Sequence, residues 1–147
     1  MAEYRTELLS ALLVRVQAEG LPVSFDGMEE ADLWDALDRR AEEDFETRWL
    51  AVHRHLEGGK DQLQHPELIQ SICREVFLSV FRALPSDELA GEISDDFGLI
   101  CQALDIGYQD PWLNGLLACY LKGSLPQGAL QTSEEDLPAQ LQRFLER

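Results

Sequence analysis

The chain has 147 residues, of which 45% are hydrophobic and 27% are charged. This composition is typical of a folded globular domain with one core and excludes a disordered chain. The 28 acidic and 12 basic residues leave a formal net charge of −16. A field of this sign repels nucleic acid and anionic lipid and attracts basic proteins. We therefore expect no direct nucleic-acid or membrane binding and a basic protein as partner.

The first helix is predicted by an apolar stripe. Apolar residues recur at steps of four from Tyr4 to Val16, and Gly20 follows as a natural helix stop. A helix over residues 3–19 is expected, because side chains four apart lie on one helix face.

The second predicted helix is the longest in the chain. Asp26 and Glu29 have the spacing of a capping pair, and apolar residues then keep helical spacing from Trp34 to Leu56. We expect one continuous helix over about 28–57 that buries Trp34.

The middle of the chain is also helical by pattern. Pro66 opens an evenly spaced apolar segment, the candidate for the central core helix. Further on, Ser86 and Ser94 are two possible helix caps separated by Gly91. They predict a short helix followed by a longer one over about 95–106.

The last third contains a helix start, a linker and a final helix. Asp110 and Pro111 form an N-cap followed by a first-turn proline, residues 124–131 have linker composition, and Pro138 places the start of the last helix at 136 or 137. The whole pattern predicts an all-α fold: an irregular bundle of about six helices with a single core and no significant sheet, in one domain over 1–147.

Cysteine usage and hydropathy indicate the compartment. The three cysteines are odd in number, far apart and in apolar surroundings, which is typical of reduced thiols: Cys73, Cys101 and Cys119. No segment has the length of a membrane span or the pattern of a secretory signal. We expect a cytoplasmic protein.

No motif indicates catalysis or a cofactor. His53 and His55 are two residues apart, so they point away from each other on a helix and cannot share a metal ion. Asp61 and His65 alone are too few ligands for a metal site. We therefore predict no catalytic residue, no metal and no cofactor, and an enzyme is not the favoured reading.

The acidic residues cluster in two regions that could bind a partner. Four of them lie three or four apart beside the predicted long helix's apolar stripe: Asp35, Asp38, Glu42 and Glu46. The second region combines three acids with two aromatic residues that could anchor a partner: Asp95, Asp96, Tyr108, Asp110 and Trp112. These acids could equally be a solvated surface that keeps the protein soluble.

These patterns predict a non-catalytic acidic helical protein that binds a basic protein partner, by analogy with immunity proteins or antitoxins that inhibit basic toxins. The alternative is a small-ligand or cation-binding protein, or an enzyme, that uses the turn at 107–112 and nearby carboxylates. A homodimer through the face that carries Gly115 and Cys119 is a third possibility, because small residues one turn apart allow close helix packing.

Overall fold

The computed structural model describes residues 2–147 of the chain. These residues form α1 (Ala2–Glu19), α2 (Glu30–Arg40), α3 (Glu43–Gly58), α4 (Pro66–Ala83), α5 (Asp87–Ile106), α6 (Pro111–Leu121) and α7 (Leu137–Leu145), with a short 3-10 turn at Lys60–Gln62. No strand occurs among the described residues, so the predicted all-α fold is confirmed.

The central helix is α5 rather than α4. It packs against α1, α3, α4, α6 and α7, and Leu89, Ile93 and Ile100 on it are fully buried. Apolar and small residues surround α5 on most sides, which is the pattern of a helix enclosed by others. The expectation that the helix beginning at Pro66 is central is wrong. This helix, α4, has a solvent-exposed face on which Phe81 is 41% exposed.

The predicted helix over 28–57 is broken after Arg40. Ala41 and Glu42 separate α2 from α3, and Glu42 has extended backbone with φ −70° and ψ 156°. On one continuous helix, residues 40 and 45 would point about 140° apart, since each residue turns by about 100°. The bend lets both Arg40 and Phe45 face the interior, with the guanidinium 4.5 Å from the ring centroid.

Two cap predictions in this part of the chain are also wrong. Asp26 does not cap α2; the Glu29 N–H donates to the Asp32 carboxylate at 3.0 Å, so the capping pair is three residues further along. Ser94 does not start a helix either, because its hydroxyl donates to the Cys73 carbonyl at 2.9 Å from within α5. Ser86 is the cap of the undivided α5.

The Asp110 cap is confirmed, and the last helix begins where Pro138 places it. Gly107 ends α5 with a left-handed φ of 78°, and the Asp110 carboxylate accepts from the Leu113 N–H at 3.0 Å to open α6. Asp136 caps α7 in the same way through Ala139, within the predicted start.

The non-helical segment between α6 and α7 is packed on α6. A methyl group built on Gly115 would lie 2.2 Å from the Gln131 carbonyl oxygen, so only glycine allows this approach. The Asn114 side-chain amide donates to the Ser133 carbonyl at 3.2 Å. The Gly115 face is thus covered by the chain itself and does not present the surface that the homodimer hypothesis requires.

Candidate partner-binding surface

The bend between α2 and α3 is fixed to α5 by one arginine. Arg40 is 4% exposed, and its Nε donates to Glu92 Oε1 at 2.8 Å. Its Nη2 contacts both oxygens of Asp96 at 2.8 Å, and its Nη1 donates to the Pro126 carbonyl at 2.8 Å. Because every nitrogen of the guanidinium has a partner, the cation is tolerated in the interior.

Asp96 is the centre of this buried network. It is 0% exposed and also accepts from Trp49 Nε1 at 2.9 Å and from the Tyr120 hydroxyl at 2.6 Å. Burial raises the pKa of Asp96, and the Arg40 charge opposes this shift. Burial by itself would lower the pKa of Arg40, but the charges of Asp96 and Tyr120 and the hydrogen bonds to Glu92 and Asp96 together outweigh it, and the pKa is raised. The hydrogen bonds that Asp96 accepts from Arg40, Trp49 and Tyr120 favour its carboxylate form. Burial raises the pKa of Tyr120 well above its usual value, so its hydroxyl remains a donor.

The four acids predicted beside the long helix are all exposed. Asp35 and Asp38 lie on α2, Glu42 lies at the bend and Glu46 lies on α3; together we call them the acidic ridge. A shallow groove beside them is lined by Asp35, Asp38 and Glu42, with Asp32, Arg39 and Gln127. Because of the bend, the acidic ridge runs along two helices, α2 and α3, and not along one straight helix.

Trp34 is a candidate binding residue that sequence reasoning missed. Its side chain is 51% exposed on α2, next to Asp35 and one turn before Asp38, and its Nε1 donates to Glu30 at 3.4 Å. The apolar spacing from Trp34 to Leu56 suggested burial only because a single helix was assumed. On the shorter α2, Leu33, Ala36 and Leu37 face inward instead.

A cleft of about 220 Å³ lies at the other side of the bend. Its lining includes Arg40, Phe45 and Trp49 and four carboxylates, Glu46, Glu92, Asp95 and Asp96; we call it the acidic cleft. Asp95 is exposed at its rim, and its pKa is raised, first by partial burial and then by the charge of Asp96. The cleft therefore carries more negative charge than its internal cation neutralises.

The second predicted acidic region is divided by the fold. Asp95 is exposed, but Asp96 is fully buried and Trp112 is 1% exposed, with its ring edge-on to Phe45 at 5.5 Å. The expectation that Asp96 and Trp112 lie on the surface is wrong, because α5 is central and α6 is apolar on nearly every side.

The polar side chains of the turn at 107–112 are engaged in contacts within the fold. Tyr108 is partly buried and stacks on His55 at 3.9 Å, and its hydroxyl donates to Asp110 at 3.3 Å. Asp110 is occupied as the cap of α6. A groove does lie beside Tyr108, lined also by Tyr4 and Arg5, but Trp112 is not part of its lining.

His65 has a buried carboxylate as its partner. Its Nδ1 lies 2.9 Å from Asp105, which is 2% exposed and also accepts from the Gln64 and His65 N–H groups at 2.7 and 3.0 Å. This contact fixes the start of α4 to the end of α5. Within the part of the chain that the structure describes, no group of three His, Cys, Asp or Glu side chains is arranged to hold a metal ion.

Taken together, the geometry defines an all-helical protein with an exposed acidic face around a bend that is fixed from inside. No helix among residues 2–147 is long and apolar enough to cross a membrane. Residues 12–127 match the family model described as immunity protein PIM1.

Because this match covers 116 of the 147 residues, the chain belongs to the immunity protein PIM1 family. The match extends from within α1 to Gln127, so it includes the acidic ridge, Arg40 and all the groups that bind the Arg40 guanidinium, and it ends before α7. The immunity-protein part of the sequence-based prediction is confirmed at the level of the family. Comparison with curated proteins finds no match, and neither does comparison with solved structures.

Proposed function

We propose that this protein neutralises a toxin by binding a basic surface of it through the acidic ridge, with Trp34 as the apolar anchor. Family membership supports an immunity role. The observation that carries the choice of surface is the exposure of all four ridge carboxylates beside a half-exposed tryptophan.

Electrostatics favours this surface for the first encounter. Residues 26–46 hold ten acids against two arginines, and one of those, Arg40, is buried and paired with Asp96. A surface of one charge sign raises the association rate of an oppositely charged protein, and salt weakens it because the Debye length is about 10 Å at 0.1 M. Binding is expected to be fast at low salt and slower as salt is added.

Trp34 supplies apolar contact area, which the charged residues of the ridge do not provide. Tryptophan is enriched among the few interface residues that carry most of the binding free energy, because it buries a large area at low entropic cost. Its position beside Asp35 and Asp38 allows the indole to be enclosed while the carboxylates form the polar rim.

The test of the ridge measures association kinetics with the purified toxin domain that this protein neutralises. The variant Asp38→Lys/Glu42→Lys/Glu46→Lys should associate at least about tenfold more slowly at low salt, with a smaller change in dissociation rate. The matched control reverses three exposed acids outside the ridge, Glu7, Asp61 and Glu134, and changes the net charge by the same amount. Equal slowing in both variants, or no slowing in the ridge variant, would refute the ridge.

The test of the anchor uses Trp34→Ala in the same assay. This variant should dissociate about 30-fold faster, equivalent to a loss of about 2 kcal/mol. Its urea unfolding midpoint should stay close to that of the parent, since the indole is 51% exposed. An unchanged dissociation rate in a folded Trp34→Ala protein would exclude Trp34 from the interface.

A further inference from the structure

The acidic cleft has the chemical make-up of a receptor for an organic cation. Phe45 and Trp49 contribute aromatic surface, and Glu46, Glu92 and Asp95 contribute carboxylates. Aromatic rings attract cations through their negatively charged faces, and carboxylates add charge-assisted hydrogen bonds.

Arg40 shows within this protein how such a site holds a guanidinium. Its charged group lies 4.5 Å from the Phe45 ring centroid and bonds to carboxylates of Glu92 and Asp96. The cleft lies directly beside this arrangement and shares Phe45, Glu92 and Asp96 with it. Phe45 and Asp96 are buried and already occupied by Arg40, so the groups that the cleft offers toward the outside are Trp49, Glu46 and Asp95.

Charge in the cleft is not balanced internally. Arg40 pairs with both Asp96 and Glu92, which leaves Glu46 and Asp95 without an ion-pair partner among the described residues. The pKa of Asp95 is raised, first by partial burial and then by the Asp96 charge, while the charges of His53 and Arg40 oppose the shift. A cation that enters the cleft should lower that pKa.

Size restricts the occupant. Pockets for small molecules commonly measure about 300–1,000 Å³, and the cleft measures about 220 Å³. It suits the end of one side chain better than a whole metabolite. Glu46 belongs to both the acidic ridge and the cleft, so a protein docked on the ridge already lies at the cleft entrance.

We propose that the acidic cleft receives one arginine side chain of the bound toxin. This inference rests on the proposed function for the identity of the partner. Arginine fits better than lysine because a planar guanidinium stacks on aromatic surface and bonds to two carboxylates at once.

The experiment uses the 147-residue chain and a probe that does not depend on the toxin. N-acetyl-arginine amide is titrated while the indole Nε1–H signal of Trp49 is followed by NMR, since this group lies in the cleft wall and donates to Asp96. N-acetyl-citrulline amide has nearly the same shape without the charge and is the matched probe. Saturable binding in the millimolar range is expected for arginine, and at least about tenfold weaker binding for citrulline.

Two single variants with the same change in charge separate the cleft from the ridge. Asp95→Asn lies in the cleft and should weaken probe binding about fivefold or more, whereas Asp38→Asn lies in the groove beside the ridge and should leave it within about twofold. Equal affinity for the two probes, an unmoved Trp49 signal, or equal effects of the two variants would overturn the inference.

The same variants tell the two proposals apart. If the toxin binds with ridge-dependent kinetics but the arginine probe does not bind the cleft, this inference fails and the proposed function stands. If the probe binds the cleft and the toxin does not bind the protein, the proposed function fails. The assignment of the cleft's occupant to a toxin then fails as well, and the cleft remains a guanidinium site.

Discussion

Replacing Arg40 by methionine tests the central structural claim, that a buried ion pair holds the α2–α3 bend to α5. Methionine retains much of the side-chain length and removes the charge and all four hydrogen bonds to Glu92, Asp96 and Pro126. Asp96 would keep only its bonds from Trp49 and Tyr120 while remaining fully buried.

The expected loss is about 3–5 kcal/mol of unfolding free energy, the usual cost of leaving one member of a buried ion pair without its partner. This is a large part of the roughly 5–15 kcal/mol that stabilises a typical domain. The exposed Arg143, paired with Glu135 at 2.7 Å, is the matched control. Arg143→Met should cost less than about 1 kcal/mol, because water screens an exposed pair.

The assay is urea unfolding followed by circular dichroism at several pH values. Without Arg40 the pKa of Asp96 rises further, so the folded state binds a proton more readily than the unfolded state and the stability deficit shrinks as the pH falls. Adding Asp96→Asn to Arg40→Met should recover part of the loss at neutral pH. A loss below about 1 kcal/mol for Arg40→Met, or a deficit that grows toward acid pH, would refute the reasoning.

Two further predictions concern packing and thiol chemistry. Gly115→Ala should lower the free energy of unfolding in urea by about 1–3 kcal/mol, because the added methyl group meets the Gln131 backbone. The control Gly91→Ala on α5 has nothing within 4 Å of the added methyl group and should be neutral or stabilising by up to about 1 kcal/mol. Similar costs for both variants would contradict the close approach at Gly115. The folded protein should react slowly with Ellman's reagent at pH 8, because burial raises the pKa of all three thiols. The pKa of Cys73 is raised to about 11, which leaves this thiol with roughly a hundredfold less thiolate than an ordinary cysteine. Unfolding in urea should release three fast equivalents, and a fast thiol in the folded protein would show that one of these sites is open.

Local signals account for the parts of the fold that were predicted well. The caps at Ser86 and Asp110 depend on hydrogen bonds between residues three positions apart. Such bonds involve only nearby residues, so a cap beside an apolar repeat can be recognised along the chain, although Asp26 and Ser94 show the same pattern without capping a helix.

The candidate site was only partly predictable for a related reason. The acidic ridge was found because its four members are close in sequence and beside an apolar stripe. Trp34 was assigned to the core and Trp112 to the surface, and both assignments are wrong. Spacing shows which residues share a helix face, but it does not show which neighbouring helix covers that face.

Composition and periodicity were enough to determine an all-helical acidic protein, because apolar spacing and cap residues act within a few positions of each other. Only the tertiary structure decided where α2 ends, because the bend exists to place Arg40 against Glu92 and Asp96, 52 and 56 positions away. The acidic cleft follows from the same contacts, since its walls come from α2, α3 and α5, which meet only when the chain is folded.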